Sequence, residues 1–235
     1  LDLIIAPSRG ILDETAADLG ALSIPLVWIP NVVDLRRASA GEKAAPAATP
    51  PALVAMGRFV SWKRFDLAIE AVARLPRGSV RLDLIGDGPE RGSLERLARE
   101  RGIADWVRFH GYQTNPFPLL RNASIGILPS EFEPFGNVII EMFSAGLPVI
   151  AFDVDYGPRE IIRDGSNGIL VRGPNPAALA EAMAALLGDP EAIAGMGEQA
   201  RKDAETGYTV QRAVSGYEAC FARLKGGALE GGLPC

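Results

Sequence analysis

The chain is poor in the side chains that bind metals or form disulfides, with two cysteines and one histidine in 235 residues. Cys220 falls in a predicted helix and Cys235 ends the chain, a pair without metal or disulfide spacing, which suits a reducing compartment. Long apolar runs are lacking too: no stretch approaches the ~18 residues of a membrane-spanning helix, and no basic flank with a cleavage site marks a signal peptide. Nor is there an excess of positive charge. The formal net charge is -5, whereas binding to a phosphate backbone demands a basic face, so nucleic acid is excluded as the main partner. What the chain does have is apolar content, 48% of its residues, which suffices for one large α/β domain and part of another. The class left is a soluble, cytoplasmic enzyme.

The sequence begins at Leu1, not Met, and opens directly on an apolar strand, so the expectation is that a further part of the protein precedes it. An apolar run over residues 1–6, a helical pattern over 11–19 and a second run over 26–29 read as one strand-helix-strand piece, too small to be a domain. Residues 1–34 are therefore assigned to the end of an N-terminal domain, and the Ala/Pro-rich residues 35–51 to a linker. From Ala52 onward, short β-rich runs alternate with amphipathic helical patterns, the signature of a doubly wound parallel sheet. Strands are predicted at 52–56, 80–85, 105–110, 124–128, 148–152 and 168–171, with helices near 64–74, 89–101, 116–122, 137–145, 157–163 and 175–187. This α/β domain is assigned to residues 52–205, a C-terminal helix to 206–225 and a tail to 226–235.

Six strands suit the order 3-2-1-4-5-6, whose ligand crevice opens at the C-terminal ends of the first and fourth strands, where the winding reverses. The loop after the first strand runs from Gly57 to Lys63, and the loop after the fourth from Pro129 to Gly136. In the first, Gly57 permits close backbone approach, Arg58 offers a planar fork for phosphate oxygens and Lys63 a mobile ammonium, together enough to neutralise a diphosphate. Arg64 is read as solvent-facing, with an exchange of roles with Lys63 as the alternative. In the second, Gly136 and Asn137 stand at a helix start whose free N–H groups and dipole favour an anion.

Glu133 and Glu141 flank that helix mouth and would repel phosphate, so their partners are hydroxyl groups. Glu141 interrupts Val138-Ile139-Ile140 and Met142-Phe143, an otherwise apolar helix, and a buried carboxylate needs partners. Diphosphate and polyol in one pocket suggest a nucleoside-diphosphate sugar.

At these residues the chain resembles the family 4 glycosyltransferases, which have the GT-B fold of two facing Rossmann-like domains. The resemblance rests on the Glu133-x7-Glu141 segment and, in the same order as in the family, on Asn31-Val32-Val33-Asp34, Gly57-Arg58 with Lys63, Leu84 to Pro89, Phe109 to Tyr112, and Gly157 to Ile162 with Asn167-Gly168. It covers residues 1 to about 225. It implies the GT-B C-terminal, donor-binding domain with a remnant of the N-terminal Rossmann domain, the rest of that acceptor-binding domain being missing.

As the resemblance implies, Arg58 and Lys63 hold the donor diphosphate, Glu133 and the backbone of Phe135, Gly136, Asn137 and Val138 the transferred sugar, and Glu141 the ribose. The base lies near Gly86 and Tyr112. The implied activity is retaining hexosyl transfer from a nucleoside-diphosphate sugar, first among them a UDP-sugar, to a glycan or glycolipid acceptor in surface polysaccharide or lipopolysaccharide synthesis. No metal and no cofactor are implied, and any peripheral contact with the inner membrane would be made through the missing domain. A non-catalytic sugar-nucleotide-binding module that needs a separate acceptor subunit is the alternative. Val32 stands where the family's hinge has Gly, and the helix over residues 210–225 is expected to leave its apolar face exposed without the missing domain.

Other candidates carry less. Asp153-Val154-Asp155 has a metal-binding spacing but follows the fifth strand of a Rossmann pattern. His110, at the end of the third strand, reads as a packing or capping residue rather than a general base. Gly86-Asp87-Gly88 lacks the full dinucleotide fingerprint, and Trp62 is read as loop packing or as a stacking platform.

Overall fold

The computed structural model describes residues 1–20, 24–34 and 50–226. Residues 35–49 of the linker assigned to 35–51, and residues 227–235 of the tail assigned to 226–235, Cys235 included, lie outside the described residues. At the N-terminal end, strand β1 (Ile4–Ala6) pairs in parallel with β2 (Leu26–Trp28) through helix α1 (Arg9–Leu19). Ser8 caps α1, its hydroxyl accepting from the Ile11 N–H at 3.3 Å.

A six-stranded, all-parallel sheet forms the body, from β3 (Ala52–Met56), β4 (Arg81–Ile85), β5 (Val107–Phe109), β6 (Ile125–Leu128), β7 (Val149–Phe152) and β8 (Gly168–Val171). Its order is β5-β4-β3-β6-β7-β8, which counted from β3 is the expected 3-2-1-4-5-6. The inner strands β3, β6 and β7 are buried along their whole length, which is why they read as unbroken apolar runs rather than alternating ones. The period of two sorts them between two cores. Leu53, Ala55, Ile125, Ile127 and Ile150 face helices α2 (Phe65–Val72), α3 (Arg91–Glu100) and α7 (Pro176–Leu187). Ala52, Val54, Met56, Leu128, Val149 and Ala151 face α4 (Phe117–Arg121), α5 (Asn137–Ser144), α6 (Gly157–Ile161) and α8 (Pro190–Gly207).

The elements depart from expectation at three places. The expected strand over 105–110 is shortened, because Ala104–Trp106 form a 3-10 turn before β5. Helix α8 was not expected. It buries Gly197, Ala200 and Ala204, and a Cβ on Gly197 would stand 2.4 Å from the Gly146 carbonyl oxygen. A stripe of small residues seats this helix, and such a stripe carries almost no hydrophobic-periodicity signal. Asp189-Pro190 did mark its start, the Asp189 carboxylate accepting from the Ala192 N–H at 2.9 Å.

The third departure is the last helix, α9 (Val210–Gly226). Its expected exposed face is only half of the finding. Ala213 and Cys220 are buried against Ile29 with Leu3, Ile5 and Val27 of the N-terminal piece, while Val210, Val214, Tyr217 and Phe221 on the other face are exposed. No helix among the described residues is long and apolar enough to cross a membrane.

Candidate active site

Glycine backbone draws the C-terminal ends of the central strands together. The Gly57 N–H donates to the Ile85 carbonyl at 3.0 Å, and the Gly86 N–H to the Gly111 carbonyl at 2.9 Å, lacing the ends of β3, β4 and β5. Gly86 has φ +138°, and a Cβ there would stand 1.9 Å from the Gly57 carbonyl oxygen, so no other residue fits this crossing.

Beside this lacing lies a cavity of about 550 Å³ at the ends of β3 and β4, walled by the segment after β5 and by helix α5. Gly57, Arg58, Gly86, Tyr112, Val138 and Glu141 line it, all six predicted as site residues. Sequence reasoning did not select Val33, Asp34, Asp87, Gln113 or Thr114, which complete its polar rim and wall. Three of these lie within the quoted motifs, so their neighbourhood was visible but their orientation was not. Arg58 is exposed and makes no ion pair among the described residues. Glu141 is half-buried, its carboxylate has no hydrogen-bond partner among the described residues, and burial pushes its pKa above the ordinary carboxylate value.

The other predicted residues form a second cluster that does not line this cavity. Lys63 and the buried Glu133 form an ion pair that bridges the two switch-point loops, with the Ser130 hydroxyl donating weakly to Glu133 at 3.5 Å. The Glu131 N–H donates to the Trp62 carbonyl at 2.9 Å. Arg64 is not simply solvent-facing: it pairs with Asp66 at 3.0 Å and also with Glu131. Two basic residues therefore tie the first loop to the second.

Phe135 and Gly136 are buried and Asn137 is exposed at the mouth of α5. Gly136 adopts φ 98°, a left-handed turn that aims the first amides of α5 outward. Phe135 packs edge-on against Tyr208, ring centroids 5.9 Å apart. Burial, with the nearby Asp203 and Glu160 carboxylates, pushes the Tyr208 phenol up to about 12.

Two weaker candidates resolve into structural pairs. Arg159 bridges Asp153 at 2.7 Å and Asp155 at 3.1 Å, and no group of three metal-binding side chains occurs among the described residues. The His110 ring contacts the buried Asp83 at 2.8 Å, and Arg81 holds that carboxylate's other oxygen at 2.9 Å. His110 thus helps satisfy a buried carboxylate in the sheet. Trp62 is about half exposed.

The family profile for glycosyl transferases group 1 matches residues 38–203. The chain belongs to that family. It is 40% identical over 172 residues to the lipopolysaccharide core biosynthesis glycosyltransferase LpsE of Rhizobium meliloti, covering 72% of this chain and 49% of the relative. Identity to the D-inositol 3-phosphate glycosyltransferase of Nocardia farcinica is 33% over 240 residues, covering 93% and 52%. Among solved structures, a variant of TarM from S. aureus in complex with fondaparinux, α-GlcNAc-glycerol and UDP superposes with a TM-score of 0.84 at 22% identity, over 94% of this chain and 44% of TarM. That likeness shows the fold alone, the parallel-sheet α/β fold found in glycosyltransferases of the GT-B type. The chain spans about half the length of these relatives.

Proposed function

We propose that this chain is the donor half of a retaining glycosyltransferase, which moves a sugar from a nucleoside-diphosphate sugar, first among them a UDP-sugar, to a glycan or lipid-linked acceptor. The setting is surface polysaccharide or lipopolysaccharide synthesis, as the name of LpsE suggests. One observation carries the reading: a single cavity whose walls carry the Arg58 guanidinium and the half-buried Glu141 carboxylate, neither of which has a side-chain partner among the described residues. A cation and an acceptor in one cleft match a ligand that is both anionic and rich in hydroxyls.

In this reading the ribose hydroxyls donate to Glu141 and the base lies against Gly86 and Tyr112. The diphosphate meets Arg58, the amide mouth of α5 and Lys63, for which it competes with Glu133. Glu133 and the backbone of residues 135–138 hold the sugar. The acceptor oxygen bonds to the anomeric carbon on the face that the diphosphate leaves, and the acceptor's proton passes to the departing phosphate oxygen. Arg58, Lys63 and the helix dipole stabilise the growing negative charge, so neither metal nor cofactor is required.

Calorimetry of the chain with UDP-, GDP- and ADP-sugars tests this. The expected result is binding of one of them, weakened at least about tenfold by Glu141→Ala, since a hydrogen bond to a charged acceptor contributes roughly 1.5–3 kcal/mol. No binding by any, or unchanged affinity in Glu141→Ala, would sink the assignment. The second reading is a non-catalytic sugar-nucleotide-binding module that acts only with a separate acceptor subunit. Donor binding without nucleotide release in the presence of glycan acceptors would select it.

A further inference from the structure

The first turn of α1 is held by the donor domain. The Glu160 carboxylate of α6 accepts from the Arg9 N–H and the Gly10 N–H, each at 2.8 Å, so two of the helix's unsatisfied donors are met from about 150 residues away in sequence. Tyr156, just before α6, touches the same turn. A Cβ on Gly10 would stand 2.5 Å from its Cδ1, and its hydroxyl lies against the Glu14 carboxylate, which holds the phenol above its ordinary pKa. On its other side the Tyr156 ring meets Phe132 edge-on, centroids 6.0 Å apart. Phe132 is the neighbour of Glu133. Behind the ring, Gly157 lies so close to the loop that a Cβ would stand 1.9 Å from the Phe135 carbonyl oxygen and 2.8 Å from that of Glu133.

We propose that Tyr156 and Glu160 are positioning residues: they clasp the first turn of α1 and, through the Tyr156–Phe132 contact, tie its position to the loop that carries Glu133. Phe132 and Glu160 are exposed and Tyr156 is half-buried, so the coupling runs through these direct contacts and not through a packed core. Docking of the N-terminal segment thereby sets the order of the loop. Phe135 is held at the loop's far end by Tyr208, and Glu131 and Glu133 are held by the first loop, so Phe132 between them is the residue through which α1 reaches this loop.

The clasp rests on contact geometry and not on the nucleotide-sugar reading, so its test uses the ligand-free chain. Gly10→Ala presses on the Tyr156 ring while raising helix propensity, and Glu160→Gln removes the charge and one acceptor without changing shape. Backbone amide resonances are compared by NMR. Both substitutions are expected to displace the resonances of Phe132 and Glu133 and to leave those of β3 and β4 in place. In a Tyr156→Ala background, Gly10→Ala is expected to lose its effect on Phe132 and Glu133, which a purely structural role for α1 would not produce. Changes confined to residues 8–14 and 155–160, changes spread through β3 and β4, or an effect that survives Tyr156→Ala would each overturn the proposal. Failure of nucleotide-sugar binding would leave it standing.

Discussion

In Glu141 stability and the proposed binding role pull in opposite directions. It is a half-buried carboxylate without a hydrogen-bond donor among the described residues, and burial raises its pKa from the ordinary 4.5. Above that unfolded value the native chain retains the proton longer than the unfolded chain does, so this group's contribution to stability falls as pH rises and is lost through the folded pKa. Glu141→Gln is therefore expected to raise the Tm at pH 7, with the gain shrinking toward pH 4, while weakening nucleotide-sugar affinity. Thermal melts across that range check the sign. A Tm below the parent's at pH 7 would show that the carboxylate has a partner. Its importance was readable from one signal, a charge inside an apolar helix. That Lys63 and Glu133 neutralise each other across two loops was not, because they are 70 residues apart and their contact depends on the relative height of two strand ends.

Helices differ in how much of their packing face a sequence declares. α5 shows apolar bulk and was foreseen within a residue of its observed bounds, whereas α8 packs through Gly197, Ala200 and Ala204, residues that carry little apolar surface. α9 is divided between these cases. Its Ala213–Cys220 face covers Ile29, while Tyr217 and Phe221, on a neighbouring face, are exposed among the described residues. Ile29→Ala is expected to cost about 2–4 kcal/mol in the unfolding of this piece. Phe221→Ala, by contrast, should change it by less than about 0.5 kcal/mol. Urea unfolding of the two variants separates them, and equal losses would mean that the exposed face is covered in solution.

At the scale of the molecule, the cavity exists because three strand ends converge through backbone that lacks side chains. Gly86→Ala would place a methyl group 1.9 Å from the Gly57 carbonyl at a φ of +138°. It is expected to destabilise the fold by at least about 2 kcal/mol and to abolish nucleotide-sugar binding, because β3 and β4 can no longer close on each other. A variant with parental melting and affinity would show that the strand ends are looser than this lacing implies.

Strand order, switch point and the identity of the two loops followed from the sequence alone. Alternation of short apolar runs with amphipathic helices, together with the right-handedness of parallel crossovers, leaves few ways to wind six strands. Local pattern therefore determined where a site would be and which residue types it would present. Only the tertiary structure decided which of those residues share one space: Arg58 and Glu141 on the cavity wall, Lys63 against Glu133 beside it, and Glu160 on the first turn of α1. The physical reason is range. Periodicity and turn chemistry act over a few residues, whereas ion pairs, carbonyl approaches and ring contacts depend on distances between elements set by the packing of both cores.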